Sequence, residues 1–93
     1  MASEALARVL DRLRARPVVP DQSVEAWRAG MEERARSFRP KGGVTFEAAD
    51  AGGAAAEWAV PSNAEDRVLV YFHGGGYCCG SISTHRVLVS FLA

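Results

Sequence analysis

At 93 residues, 48% of them hydrophobic, the chain sits at the small end of the single-domain range, where folding buries only a modest share of the surface; one domain at most is expected. Eleven Lys and Arg balance eleven Asp and Glu, which leaves no overall field to draw the chain onto nucleic acid or an anionic membrane. No stretch nears the roughly 20 apolar residues of a membrane span, the N-terminus lacks the unbroken apolar core of a secretory signal, and the two cysteines, Cys78 and Cys79, are adjacent and cannot build a loop-closing framework. A reducing, cytoplasmic setting is the expectation.

In chain order, Ser3 is placed to cap a first helix in which Leu6, Val9, Leu10 and Leu13 form an amphipathic stripe. "RPVVP" from Arg16 to Pro20 ends it, because two prolines so close leave little helical freedom. A second helix is expected from about Ser23 to Phe38, with Val24, Trp27, Met31, Ala35 and Phe38 on one side. Its aromatic stripe reads as packing rather than as the lining of a pocket. "RPKGG" closes this first unit, residues 1–41, which holds nine bases against six acids, whereas residues 42–93 hold two against five. That split reads as a solvated helical face.

After Gly43 the period changes. "VTFEAA" and "AAEWAV" are short β-prone runs joined by "DAGG", an antiparallel hairpin by its turn chemistry, with Trp58 in sheet-face packing. "PSNAED" makes the next turn. "RVLVYF", Arg67 to Phe72, is apolar on both faces, as an interior strand covered on each side must be. Three consecutive glycines follow, and then Ser83 or Thr84 is placed to cap a final helix, "HRVLVSFLA". An interior strand needs neighbours on both sides and a helix layer, yet the sequence offers one hairpin, one central strand and the start of one helix. The expectation is an incomplete α/β domain, the front part of a larger fold.

The glycine run poses the functional question. A buried strand that emerges into "HGGGYCCG" and then a helix presents backbone N–H groups with no Cβ atoms in the way, at the edge where α/β proteins bind ligands. Such a loop suits an anion or a developing negative charge. It can cradle a phosphate or stabilise the oxyanion of an acyl-transfer intermediate.

With its flanks, "YFHGGGYCCGSISTHR" resembles the oxyanion-loop motif of the hormone-sensitive-lipase-like branch of the α/β-hydrolases, and the order of elements along the whole chain is similar too. The resemblance implies two cap helices (1–41) followed by the first strands, oxyanion loop and first helix of a truncated hydrolase core (42–93). It also implies a carboxylic ester hydrolase, an esterase or lipase acting on short acyl esters without a cofactor. It assigns the backbone N–H groups of Gly75 and Gly76 to the oxyanion hole, a turn-permitting role to Gly74, a bracing role to His73 and a place beside the acyl pocket to Tyr77. The implied partner is a small-molecule ester, with a homodimer left open.

This sequence departs from the family pattern in one respect: no serine lies in a G-x-S-x-G elbow, so the catalytic triad is missing and the chain is expected to be inactive alone. Ser81, Ser83 and His85 in "GSISTH" read as capping and loop bonding, because a Ser-His couple still lacks an orienting carboxylate and an elbow. A zinc site from His73, Cys78, Cys79 and His85 is disfavoured by the adjacency of the cysteines, which read as small apolar filler. Two other readings stand beside the hydrolase. Gly74, Gly76 and Gly80 approach a dinucleotide fingerprint at the start of a βαβ unit, and the chain could serve as a non-catalytic pairing segment.

Overall fold

A computed structural model describes residues 3–93. It contains helices α1 (Glu4–Arg14) and α2 (Val24–Ala35), strands β1 (Val44–Ala51) and β2 (Ala54–Pro61), and helix α3 (Ile82–Leu92).

Local chemistry sets most of these boundaries. Ser3 and Ser23 take extended backbone angles, and their hydroxyls accept from Leu6 N and Ala26 N at 3.2 Å each, removing one orphan donor from the first turns of α1 and α2. Glu4 in the first turn of α1, and Arg12 and Arg14 in its last, complement the helix dipole. Helix α2 ends at Ala35, short of Phe38. Pro40 has no N–H to continue the ladder and restricts Arg39 before it, so Ser37 and Phe38 bond back only three residues, to Arg34 O and Ala35 O.

The hairpin pairs antiparallel from Val44 opposite Pro61 to Ala51 opposite Ala54. That register leaves a two-residue turn, Gly52-Gly53, with φ of 68° and 93°, the left-handed pair that matches the twist of the flanking strands. Asp50 Oδ1 secures the turn by accepting from Gly53 N at 2.7 Å. Helix α3 lies against β2 through Arg86, whose Nε and Nη2 donate to the two carboxylate oxygens of Glu57 at 2.8 and 2.7 Å, while its guanidinium carbon stands 5.6 Å from the centre of the Phe46 ring. The hydrogen bonds from Arg86 to Glu57 outweigh burial and raise the Arg86 pKa further, so this cation persists at any workable pH.

Two expectations are corrected. The cap of α3 is Ser81, not Ser83 or Thr84. Ser81 Oγ accepts from Thr84 N at 3.2 Å, and Thr84 Oγ1 reciprocates by accepting from Ser81 N at 2.8 Å, a capping box. Ser81 Oγ also donates to Glu32 Oε1, which brings a carboxylate of α2 to the positive end of α3. The second correction concerns Arg67–Phe72, expected as an interior strand. It forms no ladder among the described residues; its single backbone bond is Arg67 N to Glu65 O at 2.8 Å. Val68 and Phe72 are 67% and 87% exposed. A segment apolar on both faces becomes a strand only when neighbours pair with its edges, and β1 and β2 pair only with each other.

Among the described residues no hydrophobic side chain is fully buried, so the chain is a partial domain without a closed core. Ser90 is the exception to the general exposure. It is wholly buried, donates to Val87 O at 2.6 Å and accepts from Lys41 N at 2.8 Å, joining the end of α3 to the segment before β1. Ser90→Ala strands the Lys41 N–H without an acceptor. In the protein completed to a closed domain it is expected to cost about 1–3 kcal/mol, read as a lower urea midpoint at unchanged slope. No described helix is long and apolar enough to cross a membrane.

Candidate functional site

The segment between the unpaired apolar run and α3 folds into a tight loop, His73 to Gly80. With Arg28 of α2 it lines an open depression of about 620 Å³. Gly75, Gly76 and Gly80 have φ of 147°, 62° and 99°, and Tyr77 follows at 60°. Space forbids a side chain at two of these positions. A Cβ on Gly75 would lie 1.8 Å from Cys79 O, and one on Gly80 would lie 2.7 Å from Gly74 O and 2.8 Å from His73 Nδ1. Gly74 differs, because its φ is not left-handed and a Cβ there would meet no atom within 4 Å. Tyr77 keeps its left-handed φ although a side chain makes that costly by roughly 1–2 kcal/mol, and its ring stands fully exposed at the loop.

The loop closes on the carbonyl of Gly75, which accepts from Cys78 N at 3.2 Å and Cys79 N at 3.1 Å. No described residue accepts the N–H groups of Gly74, Gly75, Gly76 or Tyr77. These donors stand in the wall of the depression without partners, where a bound group can take them.

His73 is held locally. Its Nδ1 lies 2.9 Å from Gly74 O, and since a carbonyl only accepts, Nδ1 carries the proton. Its ring stacks on His85 at 5.2 Å with 25° between the planes. Thr84 donates its hydroxyl proton to Ser81 O at 2.9 Å, so His85 Nδ1, 2.9 Å away, donates to Thr84. His85 therefore engages Thr84, and Ser81 is occupied as the α3 cap. No described group of three or more His, Cys, Asp or Glu is arranged to hold a metal ion.

Sequence reading missed Arg28. Its Nε donates to Cys78 O at 2.6 Å, tying α2 to the glycine loop across 50 residues of sequence. Nothing local marks this arginine among its basic neighbours. Both cysteines are free and half-buried. Burial pushes the Cys79 thiol above its ordinary pKa, the neighbouring Cys78 adds to the rise, and Arg28 and Arg34 oppose it without reversing it.

No family model matches the chain. Among known proteins, an acetyl-hydrolase of Streptomyces hygroscopicus is 32% identical over 92 residues, covering 99% of this chain and 31% of that protein. A crystal structure of an esterase from the bacterial hormone-sensitive lipase family superposes with a TM-score of 0.83 at 35% identity, over 100% of this chain and 32% of its own. EstE5, in a crystal soaked with p-nitrophenyl butyrate, gives a TM-score of 0.84 at 33% identity over 96% of this chain and 31% of its own. The chain thus spans about a third of the length of the relatives it matches. Helices, hairpin and glycine loop all lie within the portion that superposes on the esterase of the bacterial hormone-sensitive lipase family, and the chain forms a partial α/β-hydrolase domain similar to that family over essentially its whole length.

Proposed function

We propose that the intact protein, meaning this chain completed to the length of its relatives, is a serine carboxylic ester hydrolase for short acyl esters, with the loop from His73 to Gly80 as its oxyanion hole. The observation that carries this reading is the pair of unpartnered N–H groups of Gly75 and Gly76 in the wall of the depression, on a loop with no room for a side chain at Gly75 or Gly80. In the reaction, a serine outside this chain attacks the ester carbonyl, whose oxygen gains negative charge as the carbon becomes tetrahedral. Gly75 and Gly76 donate to that oxygen, each such donor contributing about 2.7–4 kcal/mol to transition-state stabilisation. The tetrahedral intermediate then collapses: the C–O bond to the alcohol breaks, and the alcohol leaves with the proton given up by the serine. Water cleaves the acyl–serine ester to return the carboxylic acid and the free serine, with no cofactor needed. His73 supports the loop through Gly74 O and the stack on His85. Tyr77 stands beside the acyl side, exposed in this chain and available to a substrate.

The test is hydrolysis of p-nitrophenyl butyrate in a cytoplasm-like reducing buffer. The intact protein is expected to turn the ester over and to lose activity to a serine-directed reagent, while the 93-residue chain stays at the buffer rate because it carries no G-x-S-x-G. An intact protein without hydrolysis, or an isolated chain with it, refutes the proposal.

A further inference from the structure

A backbone N–H stabilises an oxyanion well only if its peptide plane is already fixed when the charge forms. The carbonyl of Gly75 and the N–H of Gly76 are opposite edges of one trans peptide. With glycine on both sides, that plane flips more easily than it would between residues that carry a Cβ. Four donors hold it: the N–H groups of Cys78 and Cys79, and also their thiols, with sulfur 3.4 and 3.2 Å from the Gly75 oxygen. Because the carbonyl is turned toward the cysteines, the Gly76 N–H is turned away from them, and no described residue accepts it.

We infer that Cys78 and Cys79 are positioning residues of the oxyanion loop, whose two thiols lock and polarise the 75–76 peptide through the Gly75 carbonyl. The inference rests on the oxyanion reading given above. As apolar filler, two neighbouring thiols would have no reason to meet on one oxygen. A thiol donates only while it holds its proton, and the raised pKa of Cys79 keeps it protonated at neutral pH. Arg28 holds the same turn from outside through Cys78 O. Each S–H donor is weak, but several donors on one carbonyl polarise the peptide and strengthen the N–H at its other end.

The experiment compares two double variants of the intact protein on p-nitrophenyl butyrate, with folding followed by circular dichroism and melting. Cys78→Ala with Cys79→Ala removes both donors; Cys78→Ser with Cys79→Ser keeps them. The alanine pair is expected to lower kcat about tenfold with KM within about twofold, and the serine pair to stay within about twofold of the parent. A folded alanine pair at the parental kcat, or a folded serine pair as impaired as the alanine pair, overturns the inference. A second measurement needs no variant to fold. Phenylarsine oxide condenses with both thiols of the parent, forming two S–As bonds and releasing one water, so both S–H donors are lost. Turnover is expected to fall and to recover with excess dithiol. Full turnover by parent protein shown by mass spectrometry to carry the arsenical overturns the inference. A parent without hydrolysis fails the oxyanion reading itself, whereas an active parent with indifferent cysteines fails only this step.

Discussion

Gly75→Pro or Gly76→Pro in the intact protein is expected to lower turnover of a short nitrophenyl ester by about a hundredfold to a thousandfold, the loss that removal of an oxyanion donor causes under the proposed function. Proline deletes the N–H at the substituted position and requires φ near −65°, against 147° at Gly75 and 62° at Gly76. Donor and geometry therefore fail together. His73→Ala is the milder comparison: it removes the bond to Gly74 O and the stack on His85 but leaves every loop N–H in place. Its activity is expected to fall by about tenfold or less. Melting curves separate catalytic loss from unfolding. Folded proline variants that hydrolyse at the parental rate would show that the glycines do not bind the oxyanion, and nucleotide binding would then test the loop as a phosphate cradle.

The isolated 93-residue chain is expected to show no cooperative unfolding transition, to bind a hydrophobic dye and to self-associate. Its radius of gyration is 15.9 Å, against about 12 Å for a compact domain of this length, and no described hydrophobic residue is fully buried. The unpaired run Val68–Phe72 presents free backbone groups and apolar side chains together, the combination that invites strand-to-strand association. Hydrogen exchange reads this directly. Amides from Val68 to Phe72 are expected to exchange near the rate of an unfolded peptide in the isolated chain and to be protected in the intact protein. Strong protection there in a monomer of the isolated chain would contradict the partial-domain description.

Sequence alone determined the features whose causes lie within a few residues. Ser3 and Ser23 cap their helices because the hydroxyl reaches the N–H three residues on. The Gly52-Gly53 turn follows from the need for two left-handed residues between paired strands. The resemblance was legible for a similar reason: the glycine loop is a contiguous stretch, and "HGGGYCCG" carries its conformational demands in its own glycines. Boundaries that depend on a partner were less legible. The cap of α3 fell on Ser81, where a reciprocal bond from Thr84 and a carboxylate from α2 meet, although Ser83 and Thr84 offer the same side-chain chemistry.

Tertiary structure decided what the loop residues touch. It joined Arg28 to Cys78 across 50 residues and brought Ser90 to Lys41. Neither contact has a periodic or local signature, because each depends on how separate elements pack in space. The same physics accounts for Arg67–Phe72, whose composition specifies a strand but whose strand character must come from the hydrogen bonds of neighbours. Helix caps and turns satisfy their own backbone groups, whereas a β-strand borrows its stability from the chain beside it.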